Sequence, residues 1–489
     1  MRGKSSKRPL DRSARRLVRG LAGAATLGLC PLCQGADVFD TYRDVPPTPA
    51  GSQLGQGTIC VFGALSSPLP LREAVERALC SNPKSAQAWA SIKQQAAAVG
   101  IGRAAYLPSV NTTVQKLRQG NLTNVSAHPE LSVASKANVL NATASLSWVL
   151  WDFGGREAAL ENASALFAAA QANQDAVLQE LFATVAQDYY AVQAAQGGLA
   201  AATDIERTSK DSFDAASARA DKGVAPISDA LQAETALAQA IFNRSKAAGD
   251  LAVAQGTLAA DMHLRPDTAI DLPPVEDGIR PDGDFLRSVS ALLDEAVRAH
   301  PRVLQAQAQV RAAAAKERQA RAEGLPKLSV VATAARNDRP AGSGLGYSQY
   351  PAVGRSWGLG LQVDIPLFEG FGRLYDIRAA QAQTELQQGQ LDQVGQQVGL
   401  DVWNAWQTLR TDTENVANSA RLLRLAQASR QATLTRYLAG VGSITDLLNA
   451  QSALATAQKQ RVQALTDWRG ARLQLASRLG TLAMRDIDW

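Results

Sequence analysis

The chain repeats itself once, and that duplication limits what it can fold into. NPKSAQA at Asn82–Ala88 matches HPRVLQA at His300–Ala306, and RAAYLP at Arg103–Pro108 matches RAEGLP at Arg321–Pro326. WDFGGR at Trp151–Arg156 matches FEGFGR at Phe368–Arg373, and GVAPISDALQA at Gly223–Ala233 matches GVGSITDLLNA at Gly440–Ala450. The four blocks keep their order and an offset of about 217–218 residues. Solenoid periods are far shorter, so this is a duplicated half and not a repeat array. Each half then has one plan: helix, strand, loop, strand, long helix, tight turn, returning helix.

The predicted strands alternate with period two. In Val139–Trp151 one face carries Leu140, Ala142, Ala144, Leu146, Trp148 and Leu150; the other carries Asn141, Thr143, Ser145 and Ser147. Ser356–Phe368 repeats the pattern, with Trp357, Leu359, Leu361, Val363, Ile365 and Leu367 on its apolar face. Pro108–Arg118 and Pro326–Arg336 are the partner strands. Each of the four is about as long as the 9–11 residues of a tilted membrane-spanning strand. Trp148, Trp151 and Trp357 near strand ends fit an interfacial girdle. Two polar loops, Gln119–Asn138 and Asn337–Arg355, join the pairs. The GSGLG run in the second loop neither follows a buried strand nor opens a helix, so it is no phosphate loop.

Helices fill most of the rest. Arg156–Asp221 contains no proline and would extend roughly 100 Å at 1.5 Å per residue; Arg373–Ala439 is as long. Leu71–Ala104, Ser228–His263, Ser290–Glu323 and Ser443–Leu479 are each about half that length, so two laid end to end would run beside one long helix. Pro266, Pro273, Pro274 and Pro281 break helix between the halves. The predicted organisation is an export signal over 1–36, an extended segment over 37–69, a first repeat over 70–264, a linker over 265–289, a second repeat over 290–480 and a tail over 481–489. Within the repeats the strands fall at 107–118, 139–151, 326–336 and 356–368.

The signal reading rests on charge. Eight Lys or Arg against one Asp occupy the first 19 residues, ahead of a short apolar run from Leu21 to Cys33 and small residues Gly35 and Ala36. That excess of seven positive charges exceeds the chain's net +5, so a pI near 9.0 gives no reason to expect a nucleic-acid partner. No stretch has the 18 apolar residues of a membrane helix, a test that an alternating barrel strand escapes. Cys60 and Cys80 would form one disulfide in an oxidising periplasm or stand as two free thiols. The sequence around Cys30 and Cys33 lacks the small residue expected before a lipidated cysteine. The three histidines have no metal-ligand spacing, and no nucleophile elbow, Walker sequence or dinucleotide fingerprint occurs. The sequence therefore points to no enzyme, metal or cofactor.

The doubled order NP…RAAYLP…WDFGGR…GVAPISDALQA resembles the TolC family of outer-membrane export channels, from about Leu69 to Leu479, and within it the type I secretion branch. The resemblance implies an α+β membrane protein. Four strands from each protomer of a homotrimer would close a 12-stranded outer-membrane β-barrel in lipid, and long helices would form a periplasmic tunnel. It implies a periplasmic adaptor, an inner-membrane ABC transporter or efflux pump, and an exported protein such as an RTX toxin; small-molecule efflux is the alternative. By motif, the periplasmic gate falls at Ser228 and Asp229 in the first half and at Tyr437, Asp446 and Asn449 in the second. Helix N-capping is the plainer role for Asp229 and Asp446. Gly442 stands where the family links an arginine to the first aspartate, and Asn449 where it adds a second aspartate. Arg436, Lys222 or Arg219 would then serve the lock. The turns at Gly223–Pro226 and Gly440–Gly442 are the expected adaptor-docking tips.

Overall fold

The computed structural model describes residues 37–51, 53, 60–274, 289–341 and 350–484. The expected signal, the GSGLG run, most of the linker and the last five residues lie outside them. The chain divides into a unit ending at Val45 and a second one from Pro46. Residues 37–45 of the first are turns, held where the Asp37 carboxylate accepts from Tyr42 N at 2.7 Å.

In the second unit the duplication recurs as matched elements. Helices α1 (Leu71–Ser81) and α2 (Pro83–Ala104) precede strands β1 (Ser109–Thr123) and β2 (Val133–Trp151), then α3 (Gly155–Asp221) and α4 (Ile227–Asp261). The second half gives α5 (Val289–Ala299), α6 (Pro301–Ala322), β3 (Lys327–Ala341), β4 (Tyr350–Asp364), α7 (Gly372–Leu438) and α8 (Ile444–Leu479). The opening helices have 11 and 22 residues in both halves, and the long helices 67 in both.

Two single helices expected from sequence are each broken. Pro83 and Pro301 force the preceding Asn82 and His300 into extended backbone, ψ 136° and 132°. Each then caps the next helix: Asn82 Oδ1 accepts from Lys84 N at 2.9 Å, and His300 Nδ1 from Arg302 N at 3.1 Å.

Both hairpins are longer than expected. The strands predicted at 107–118, 139–151 and 326–336 grow toward the hairpin tips, into much of the predicted loops. The one predicted at 356–368 starts earlier, at Tyr350, and ends at Asp364. The added residues pair in register but do not alternate apolar with polar, which is why periodicity missed them. The strand order is β1-β2-β3-β4, all antiparallel, leaving β1 and β4 as edges.

Each strand turns into its long helix through the doubled WDFGGR/FEGFGR motif. Phe153 and Phe371 take left-handed backbone, φ 52° and 66°, which non-glycine residues rarely do. Asp152 Oδ2 accepts from Arg156 N at 2.9 Å, and the Arg156 guanidinium returns to Val149 O at 2.7 Å. Glu369 and Arg373 pair at the second junction, 2.8 Å apart.

The halves share a plan but not a degree of burial. Helix α3 packs against α1, α2, α4, α6 and α8, whereas α7 packs against α5, α6 and α8. Nineteen residues of α3 are buried and only eight of α7. The main core joins Leu69, Leu79, Phe182, Val185, Leu258, Met262, Ile270 and Leu482, around the middle of α3. Leu482 and Met484 lie inside that core, so the segment after α8 starts as a packed piece. Cys60 and Cys80 are disulfide-bonded, with Cα atoms 5.6 Å apart, tying the segment before α1 to that helix.

Candidate functional site

The sheet has two chemically distinct faces, and strand register makes them. Directly paired residues project to the same side. One side carries the rows Trp148–Val330–Leu361, Val110–Leu146–Ala332–Leu359 and Thr112–Ala144–Ala334–Trp357. The other carries Asn111–Ser145–Thr333–Gly358 and Gln115–Asn141–Asn337–Gly354. The apolar faces expected of each hairpin thus fuse across all four strands. They are uncovered: Trp357 is 84% exposed, Leu359 71% and Leu361 70%. From Trp151 to Ala142, β2 runs roughly 30 Å, or about 23 Å in height at a 40° tilt, close to the apolar band of an outer-membrane barrel. Trp148 and Trp151 lie at the helix end of this band. Trp357 lies at its far edge and not at a strand end, because β4 starts earlier than expected. Among the described residues no helix is long and apolar enough to cross a membrane.

The opposite pole is formed where α3 turns into α4 and α7 into α8. Gly223 and Gly440 have φ of 71° and 78°, a left-handed step that ends each long helix. The caps of α4 and α8 are Pro226 and Ser443. Ser443 Oγ accepts from Asp446 N at 3.0 Å. Asp229 and Asp446 are therefore first-turn acids, placed to interact with the positive end of the helix, and not the caps.

The structure brings some of the sequence-predicted gate residues together and separates others. Tyr437 is buried, packed with Ala216, Ala233, Ile444 and Leu447. Arg219 crosses from the first half, donates from Nη1 to Tyr437 O at 2.8 Å and sets its guanidinium carbon 5.1 Å from the Tyr437 ring centre. Burial pushes the Tyr437 phenol up, and the Asp229 carboxylate adds to that, against Arg219. Ser228, Asp446 and Asn449 are exposed and are not among the residues packed round Tyr437. Of the three alternative basic residues, Arg219 makes the bridge. A side chain at Gly442 would bring Cβ within 3.0 Å of the Tyr437 backbone nitrogen, so an arginine there would require the turn to move.

Two further links between the halves carry no signal in sequence. Gln451 Nε2 donates to Ser212 Oγ at 2.8 Å, and Thr445 Oγ1 to Gln232 Oε1 at 3.1 Å. Glutamine and serine recur along each of α3, α4, α7 and α8, so nothing separates a linking pair from a solvated one.

Comparison with known proteins agrees with this geometry. The family described as "Outer membrane efflux protein" matches residues 74–261 and again 292–481, once in each half. Protein CyaE of Bordetella pertussis is 33% identical over 420 residues, 86% of each chain. Outer membrane efflux protein BepC of Brucella suis is 27% identical over 52% of this chain and 53% of its own. Among solved structures, the outer-membrane channel OprN superposes with a TM-score of 0.72 at 20% identity, covering 84% of this chain and 90% of that one. The CmeC outer-membrane channel of Campylobacter jejuni gives 0.73 at 15%, covering 85% and 86%. These likenesses establish the fold, and with it the mostly helical architecture carrying a small sheet. With one family matched in both halves and a relative one-third identical over most of both chains, this protein belongs to the outer membrane efflux protein family, the TolC-like channels of the outer membrane.

Proposed function

We propose that three copies of this chain form a 12-stranded barrel continuous with a helical tunnel, and that the assembly is the outer-membrane component of a type I secretion machine. The observation that carries the barrel is the sheet itself: one apolar face, one polar face, and two unpaired edges, β1 and β4. An open edge in lipid leaves backbone groups without partners. Four strands are too few to close, and the smallest such barrels have eight. Three copies supply twelve. The bare flank of α7 fits the same arrangement, since a neighbouring copy would cover it.

For the cargo, 33% identity to Protein CyaE over 86% of both chains favours the secretion branch. The efflux reading rests on weaker matches, such as TtgC of Pseudomonas putida at 24% identity. A periplasmic adaptor would dock at the two helix turns, and an inner-membrane ABC transporter would drive a protein through the tunnel. Arg219 and Tyr437 hold the two turns of one copy together. Asp446 and Asn449, exposed beside them, would face the threefold axis and favour cations there.

Heat-sensitive gel migration after cross-linking tests the assembly. A trimer extracted from outer membrane that survives mild detergent and collapses on boiling is expected; a soluble periplasmic monomer would sink it. Deleting the gene tests the cargo. Loss of one extracellular protein with unchanged sensitivity to small toxic compounds is expected, and the reverse pattern means efflux. In planar bilayers, Asp446→Ala should weaken cation selectivity and raise leak; unchanged conductance and selectivity remove Asp446 from the gate.

A further inference from the structure

The apolar band ends abruptly on the side of the hairpin tips. Its next rows on the same face are Val114–Ala142–Arg336–Arg355, Lys116–Leu140–Asp338–Val353, Arg118–Asn138 and Gly120–Lys136. Five bases therefore stand just past the last apolar row, and Asp338 is the one acid on that face of the described strands. All five are exposed. Asp338 is taken by Arg336, with Nε to Oδ1 at 3.5 Å. Lys116, Arg118, Lys136 and Arg355 have no carboxylate partner among the described residues.

The placement is not confined to one hairpin. Arg118 and Arg336 stand at equivalent positions of the duplication, ten residues beyond Pro108 and Pro326. Each hairpin thus carries a base at the same position of the repeat. The polar face of the same rows bears Gln115, Asn141, Asn337 and Gly354, and its one charged position among the described strands' tip-side rows is Arg339, paired with Ala352. Five of these six bases are therefore on the lipid-facing side, and one, Arg339, is on the side that would line the channel.

We propose that this belt docks phosphate-bearing lipid headgroups of the outer leaflet. The inference rests on the barrel reading above. The chemistry fits a headgroup layer better than a soluble anion, because the bases are spread over four rows and converge on no cavity. They also border the apolar band directly, so a lipid whose chains lie against Leu359 and Leu361 would set its phosphates beside Arg355 and Lys116. Each base near an anionic membrane surface adds to the attraction, and the sum is felt only within a Debye length.

Native mass spectrometry of the purified protein tests this, after release from micelles containing diphosphoryl lipid A or the same lipid stripped of phosphate. The wild type should retain the phosphorylated lipid and not the stripped one. The variant K116Q/R118Q/K136Q/R355Q should retain at least about tenfold less of it, leaving the Arg336–Asp338 pair intact. Equal retention of the two lipids, or retention unchanged in the variant, overturns the proposal. So does loss of retained lipid on adding inorganic phosphate at constant ionic strength, which would mean a site for a soluble anion. The comparison of the two lipids uses wild-type protein alone, so it stands even if the variant misfolds. Insertion into neutral phosphatidylcholine vesicles separates the two readings. A wild type that inserts as a trimer but ignores phosphate loses only the lipid belt; one that fails to insert overturns the barrel and the belt together.

Discussion

At Asn82 in the first half and His300 in the second, a proline ends one short helix and starts the next. Backbone and capping geometry are the same at the two breaks; the surrounding charges are not. In the first half Asn82 Nδ2 also donates to Asp261 O, the last residue of α4, at 2.9 Å. The Asp261 carboxyl shares a hydrogen bond with Asp188, whose pKa is pushed up to about 7, by burial first and then by Asp261. In the second half the residue matching Asp261 is Arg478. It pairs with Asp401, Nη1 to Oδ2 at 3.5 Å. His300 is pushed down to about 4, by burial first and then by Arg302 and Arg478. An acid facing an acid has become a base facing an acid. Duplication kept what proline and the cap dictate and left the local charge free to change.

The helices that return to these breaks end in matching turns. His263 has φ 58° and Gly480 φ 74°, and both turns close with the same pair of backbone bonds. They differ in room. A Cβ at Gly480 would lie 2.7 Å from Pro301 Cδ and 3.3 Å from His300 Cα. Gly480→Val should therefore cost about 4 kcal/mol, from left-handed strain plus overpacking. The opposite swap in the first half, His263→Gly, should gain up to about 1 kcal/mol by removing that strain. Denaturant unfolding of the detergent-extracted protein checks both. A tolerated Gly480→Val would mean the second break is looser than the first and end the parallel between them.

A second difference is covalent. Cys60–Cys80 fastens only the first half, since Arg298 holds the place of Cys80 in the second. Its ring spans a separation of 20 residues, so Cys60→Ser with Cys80→Ser should cost about 3 kcal/mol. Reductant should lower the unfolding midpoint of the wild type by the same amount and leave the double variant unmoved. If reductant shifts both equally, the loss has another origin.

The sequence exposed the duplication, the four strands and the length of the long helices, because each has a periodic or repeated signal. Alternation in Val139–Trp151 and Ser356–Phe368 marked the lipid-height part of the hairpins. Beyond it, residues such as Lys136 and Arg355 obey no period, since a strand standing clear of lipid need not alternate. The prolines that break the short helices, Pro83 and Pro301, sit within long Ala-rich runs whose helical propensity masks them. At the tip, motif position singled out Asp229, Tyr437 and Asp446, but which of them meet depends on how two hairpins 217 residues apart dock. Motif position does not separate Arg219 from Lys222 and Arg436; the fold does, by bringing Arg219 to Tyr437 O.

The smallest effect is electrostatic, and it sets the two breaks in opposition. Asp188 holds its proton in the folded chain up to about 7, against an ordinary carboxyl value of 3.8. Between those values the folded state binds the extra proton, so the first break loses stability as pH rises from about 4 to 7. His300 stays neutral in the folded chain down to about 4, against 6.5. Between those values the unfolded state binds the extra proton, so the second break loses stability as pH falls from 6.5 to 4. Asp188 is only half-buried, and solvent screening keeps its contribution small. Asp188→Asn should remove the loss on the rising side alone. His300→Asn, which restores the capping residue of the first half, should remove the loss on the falling side alone. Amide hydrogen exchange at the starts of α2 and α6, followed from pH 4 to 7, reads the two breaks separately. Equal slopes at both in the wild type would show that the charge difference between the halves has no energetic consequence.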